Sequence, residues 1–338
     1  MEKKHDKGGG EWVNNMPVRS ENIAFGAEEM ITCGKCSRVN PPNRLKCLYC
    51  AAELEISGAQ ADQIVPSLRK LESWEKGYNL VFIPSTSGGG SEIGFNEIAK
   101  AVSLDAEVLG EIIDANRPMP IARVESENEA QVLAGILGRK GVETTIVADR
   151  SLAEDILPKR LRNMRFEGDV LTVTLFNTGE TEEIKSTSLA LIVTGAIFEQ
   201  RTDTIEKRKK RETKTLEEWE TASDEGLIDI YTSTDPAGFR IPAKGFDFSC
   251  LGSSKGILAG ENIRSLVGRL QEFAPDAKLV DGYLSDKRAL GHIWEVERRN
   301  DFKGFRRSGF GKSDLAKTAL SSNLGQFTKY SRLQWHLL

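Results

Sequence analysis

The sequence predicts a multi-domain α+β protein, and three observations carry that prediction. Four of the five cysteines stand in two C-x-x-C pairs, with ten residues between the pairs, near the N-terminus. A patterned stretch of about 70 residues then alternates strand-like and helix-like apolar periods. From Phe166 onward a period of two dominates, until a single amphipathic helical stripe closes the run.

At 338 residues the chain is long enough for roughly two or three domains. Apolar residues at 39% and charged residues at 28% describe a soluble globular protein. The net charge of −4 carries no whole-chain signal for nucleic acid or membrane. No run approaches the ~20 consecutive apolar residues of a membrane helix. The N-terminal residues carry charge without an apolar signal core. The expectation is a cytoplasmic protein in a reducing compartment, where thiolates hold metal rather than pair as disulfides. No membrane partner is expected, and the sequence identifies no small-molecule substrate.

Each C-x-x-C makes a tight knuckle that offers two sulfurs to one ion. Gly34 and Asn40-Pro41-Pro42-Asn43 supply the bends of a hairpin that turns the second knuckle back on the first. Cys33, Cys36, Cys47 and Cys50 are therefore read as the ligands of one structural zinc ion. Four thiolates fill a tetrahedral sphere and leave no open position for water or substrate. Two disulfides or a redox dithiol are the competing readings. The first conflicts with a reducing compartment, and the second does not need another C-x-x-C at this distance. Residues 33–54 resemble the short zinc ribbons common in bacterial proteins, including Asn40 after the first knuckle and the trailing Ala52-Glu53-Leu54. They are similar in spacing to the Ran-binding-protein class of zinc finger, C-x2-C-x3-N-x6-C-x2-C. That class carries Trp two residues before its first Cys, where this chain has Ile31, so its ubiquitin- or RNA-binding surface is not carried over. The resemblance implies metal binding and an interaction role.

The expected domains are a flexible arm over 1–30, a zinc ribbon over 31–54, a linker over 55–77 with a short helix around Ile64–Leu71, and an α/β domain over 78–150. In the last, Asn79–Ile83 reads as a buried strand ended by Pro84. Phe95, Ile98, Ala99 and Val102 recur at helical spacing, as do Leu104, Val108, Leu109, Ile112 and Ile113. Pro120–Val124 is a second strand. Ser126 and Glu129 form a capping box before Leu133, Ile136 and Leu137, Gly141 closes that helix, and Val142–Val147 is a third strand. This βααβαβ sandwich is similar in pattern to the C-terminal domain of the ribosomal stalk protein and to the Clp-protease adaptor. Both are docking modules, and no functional residue is transferred from them.

The strand-rich α+β domain spans 160–338. Val170–Phe176, Leu189–Phe198, Leu227–Thr232 and Phe239–Phe248 read as strands, and Glu261–Phe273 as the closing amphipathic helix. That stretch faintly resembles bacterial pleckstrin-homology-like domains. The charged insertion 203–225, centred on 206–215, reads as a loop or solvated helix. From Lys303 to the end, seven basic residues stand against Asp314 alone, interleaved with Phe305, Phe310, Phe327, Tyr330 and Trp335. Cations beside stacking rings are what a single-stranded nucleic-acid site uses. Arg306, Arg307, Lys312, Lys329 and Arg332 are the candidates for that role. The preferred reading packs the rings into the fold.

Other features fall short. The loop 85–94 follows a strand and precedes a helix, but its glycines do not spell a phosphate-binding motif, and Arg306 stands where a P-loop before Gly311 needs glycine. His5, His292 and His336 adjoin no motif serine or cysteine, and Cys250 ends an apolar run as a structural thiol does. The overall expectation is a non-enzymatic adaptor or regulatory protein whose partner is another protein, with nucleic-acid binding as the alternative.

Overall fold

A computed structural model describes residues 25–26, 30–42, 44–54, 68–84, 95–209, 212–309 and 312–338, with side chains except within 207–217 and 302–315. The expected arm, most of the linker and the glycine loop at 85–94 lie outside these residues. The chain forms two compact units, 1–64 and 65–338. In the first, β1 (Ile31–Thr32) pairs antiparallel with β2 (Val39–Asn40) beside the cysteines.

The second unit is mixed α/β. It begins with β3 (Tyr78–Phe82), α1 (Phe95–Val102), α2 (Ala106–Asp114), β4 (Met119–Val124), α3 (Glu127–Arg139) and β5 (Thr144–Ala148). β3 is central and antiparallel to both neighbours. The capping box closes in both directions: Glu129 N–H donates to Ser126 Oγ at 3.3 Å, and Ser126 N–H to Glu129 Oε2 at 3.4 Å. These two bonds satisfy donors that a helix start otherwise leaves without partners.

A nine-stranded sheet follows, built from β6 (Lys159–Glu167), β7 (Val170–Leu175), β8 (Thr181–Lys185), β9 (Leu189–Lys209), β10 (Glu212–Thr232), β11 (Phe239–Pro242), β12 (Lys278–Val280), β13 (Glu297–Gly309) and β14 (Lys312–Ser322). Its order is β13-β14-β9-β10-β11-β6-β7-β8, and β12 lies parallel to the base of β9. Three helices complete the unit: α4 (Ala259–Phe273), α5 (Tyr283–Leu290) and α6 (Leu324–His336).

Alternation along the strands sorts side chains between two cores. Leu191, Val193, Leu227 and Tyr231 face one core, shared with Leu80, Ile121, Leu133, Trp294 and the α6 residues Phe327, Tyr330 and Leu333. The segments read from sequence as 78–150 and 160–338 thus contribute to a common core. Ile192, Ile228 and Ile230 face the other, with Leu161, Leu171, Phe239 and the α4 stripe Ile263, Leu266 and Leu270. Gly195 of β9 lies under the Phe327 ring, where a Cβ would stand 2.3 Å from a ring carbon. Glycine is required there by the close approach of α6.

Two expectations are corrected. The described residues of the charged stretch 203–225 are neither loop nor helix: β9 to Lys209 and β10 from Glu212 pair antiparallel, extended on one side by β14 and β13. Its strands have no apolar face to announce them, because cross-strand backbone pairing holds them rather than a buried side-chain stripe. Phe239–Phe248 is a strand only to Pro242, and a 3-10 turn over Phe248–Ser254 follows.

Candidate metal centre

The two knuckles are built alike. Ser37 N–H donates to Cys33 O at 2.8 Å, and Ala51 N–H to Cys47 O at 3.0 Å. Cys33 N–H donates to Arg38 O at 2.9 Å, and Cys47 N–H to Ala52 O at 2.8 Å. Ser37 and Ala51 follow the second cysteine of each pair, and both take the left-handed conformation, with φ of 56° and 55°. The β1–β2 ladder at the first knuckle has its counterpart in the Lys46–Glu53 bridge at the second. Each half ends in a turn that points two sulfurs inward.

The sulfurs converge. Cys33 Sγ lies 3.7 Å from Cys50 Sγ, Cys36 Sγ lies 3.5 Å from Cys47 Sγ, and all four sulfurs are within 4.8 Å of one another. Disulfide sulfurs sit at about 2.0 Å, so none of these contacts is a bond. Sulfurs at the corners of a tetrahedron about an ion, each about 2.3 Å from its centre, stand about 3.8 Å apart. The observed spacing fits a four-thiolate metal site. Ile31, Cys33, Cys47 and Leu54 are the buried residues of this small cluster, too few to hold a fold unaided.

Asn40 ties the halves together. Fully buried, its side-chain amide donates to Arg38 O at 2.9 Å and to Cys47 Sγ at 3.5 Å, and its carbonyl accepts from Leu48 N–H at 2.8 Å. Burial opposes ionisation of Cys47 most strongly, yet the Tyr49 and Cys50 amides, Asn40 and Cys36 together bring that thiol down to about 6. The Arg38 amide favours the Cys36 thiolate, but burial and the other three sulfurs hold Cys36 up at about 12. Backbone amides also lower the Cys33 thiol, and a cation among the four sulfurs would favour the thiolate form of all of them.

Sequence reasoning overlooked the surface around the cluster. Val39, Leu48 and Tyr49 are 50%, 51% and 56% exposed, and the Arg38 guanidinium stacks over the Tyr49 ring at 4.6 Å. The signal was present. The two residues inside a C-x-x-C project away from the ion, so an apolar Leu48-Tyr49 pair there faces outward.

The proposed nucleic-acid residues do not form one basic face. Lys329 is buried and pairs with Glu154 at 3.3 Å. Arg332 is 2% exposed and donates to the carbonyls of Leu152 at 3.2 Å, Ala237 at 3.5 Å and Ile156. Both are withdrawn from any phosphate because α6 is enclosed on nearly every side. Phe327 and Tyr330 are fully buried, and the half-buried Trp335 donates its indole N–H to Thr232 O at 3.0 Å. Arg306 and Arg307 lie on β13 and Lys312 on β14, but their side chains, and Phe310, fall outside the described residues.

His292 lines a groove of about 240 Å³ with Ser103, Asp105 and Arg123. Among the described residues, no hydrogen bond joins its ring to a serine or a carboxylate. Cys250 is half-buried against the second core, and burial pushes its thiol up to about 11, away from nucleophilic use. No described helix is long and apolar enough to cross a membrane. No protein-family model matches the chain, and neither a curated protein nor a solved structure matches it.

Proposed function

We propose that the chain is a non-enzymatic adaptor or regulatory protein whose zinc ribbon docks another protein. The observation that carries this reading is the pairing of a closed four-cysteine cluster with an exposed apolar surface at Val39, Leu48 and Tyr49. A site with four protein thiolates has no position left for water or substrate, so its ion serves structure. Zinc is the ion of choice for four sulfurs at tetrahedral spacing, because it demands no other geometry and has no redox chemistry to damage thiolates. Leu48 and Tyr49 are held outward by the knuckle itself, with Arg38 over the ring. An aromatic residue with an arginine on it is the composition that interface centres favour.

The alternative, nucleic-acid binding through the ribbon and the C-terminal tail, loses Lys329, Arg332, Phe327 and Tyr330 to the interior. Affinity capture with the full chain separates the two readings. The adaptor reading expects a protein partner that survives nuclease and high salt and is lost with Leu48→Ala/Tyr49→Ala. Recovery that disappears with nuclease, or falls steeply with salt, would instead identify phosphate contacts and overturn it.

A further inference from the structure

The four strands β13, β14, β9 and β10 run on together as an antiparallel ribbon. Glu297 to Gly309 of β13 spans the same levels as Ser223 to Glu212 of β10, through Ser322 to Lys312 of β14 and Glu199 to Lys209 of β9. Both outer strands are edges. Among the described residues β13 pairs only with β14, and β10 gains its second neighbour, β11, only from Leu227. Each edge is about 40 Å of strand with unpaired amides and carbonyls, a template for another strand.

The two edges carry opposite charge. β13 has Arg298, Arg299, Lys303, Arg306 and Arg307 against Glu297 and Asp301. β10 from residue 212 to 225 has Glu212, Glu217, Glu218, Glu220, Asp224 and Glu225 against Lys214. Charge on an edge ordinarily blocks pairing. Here it blocks β13 on β13 and β10 on β10, because each meets its own sign, and it favours β13 on β10. Trp219, 52% exposed between the exposed Glu218 and Glu220, places an aromatic anchor on the acidic edge.

We propose that β13 of one copy of this chain docks beside β10 of a second copy, continuing the sheet from molecule to molecule. The strand count favours this mode. With four antiparallel strands per ribbon, copies that point the same way bring β13 antiparallel to β10, so the ladder continues in the arrangement each copy already has. One bulge on each edge matches: β10 bulges between Thr215 and Glu217, and β13 between Phe302 and Gly304, adjacent levels of the same ribbon, so the twist they add falls at nearly one height. A second bulge of β13, between Arg307 and Gly309, has no counterpart on β10. The contact is head-to-tail, with two different patches, and it propagates into a ring or a filament instead of stopping at a two-fold dimer. It uses the second unit alone and does not depend on what the ribbon docks.

Sedimentation velocity of the full metal-loaded chain tests this. The wild type should associate at low salt, with affinity falling at least ~10-fold at high salt as the opposed edges are screened. One variant spoils the basic edge, Arg298→Glu/Arg299→Glu/Arg306→Glu. Another spoils the acidic edge, Glu218→Lys/Glu220→Lys/Asp224→Lys. Each alone should be monomeric, while an equimolar mixture should pair, because one retains β10 and the other retains β13. Rescue by mixing also shows that both variants are folded. A wild type monomeric at low salt, association that survives either variant, or a mixture that stays monomeric would overturn the proposal.

Discussion

Asp149 is the residue whose loss the fold should feel most. Its carboxylate is fully buried and accepts four hydrogen bonds: Gly77 N–H at 2.8 Å, Asn79 Nδ2 at 2.8 Å, and Arg123 Nε and Nη2 at 2.9 and 2.7 Å. Asn79 passes the network on, accepting from the Trp294 indole at 2.8 Å, while Arg123 also donates to the Glu72 and Glu75 carbonyls. The Arg123 side chain is only 5% exposed, so Asp149→Ala strands a cation in the interior. Removing one partner of a buried pair costs about 3–5 kcal/mol. Asp149→Asn keeps the shape but turns an N–H toward other donors, at about 2–3 kcal/mol. The double variant Asp149→Leu/Arg123→Met removes both charges and should recover most of the loss. Burial alone would raise this carboxyl, but bonds from Arg123 and Asn79, the Arg123 charge and the Gly77 amide outweigh it and hold the group below the ordinary carboxylate range. The network's stability is thus complete above the unfolded carboxyl's pKa of about 4 and drains away as pH falls through the folded value. Urea unfolding followed by tryptophan fluorescence, with pH titration, reads both effects. An Asp149→Ala loss under about 1 kcal/mol would refute the reasoning.

Asp286 should behave oppositely. Burial, its largest influence, raises this carboxyl despite Arg117, Ser285 and Tyr330, so its penalty is relieved as pH falls, and Asp286→Asn should abolish that acid-side gain in denaturation curves. Gly195→Ala should cost about 1–3 kcal/mol by calorimetry, because the Phe327 and Tyr283 rings cannot withdraw from the added methyl. Asn40→Ala leaves all four sulfurs in place but removes the bond to Cys47 Sγ and the tie to Leu48. Metal affinity should fall roughly 10–100-fold in chelator competition.

What the sequence made legible was what has a local cause. Two C-x-x-C pairs announce a metal knuckle because the spacing itself builds the turn. Ser126 and Glu129 announce α3 because capping is settled within one turn of chain. Where long-range pairing or enclosure decides, local pattern falls silent. β6 hides its period of two because its pairing with β7 slips between Leu161 and Asn163. The outer lengths of β9, β10, β13 and β14 have the composition of a solvated loop and are strands only because they have each other. α6 buries Gln326, Thr328, Lys329, Ser331, Arg332 and Gln334 beside its apolar residues, so no stripe marks it. Its basic, aromatic composition mimicked a nucleic-acid site because Lys329, Arg332 and Gln334 find partners distant in sequence, at Glu154, Leu152 and Pro118. The exposed Arg38, Leu48 and Tyr49 were legible in principle, since they follow from the knuckles.

The central claim is that four cysteines hold one zinc ion that builds the docking ribbon. Zinc release titrated against thiol reactivity in the purified native chain tests it most directly. The account predicts one zinc per chain, released as Cys33, Cys36, Cys47 and Cys50 together become reactive. A chain that carries no zinc while those four thiols react freely from the outset would contradict it.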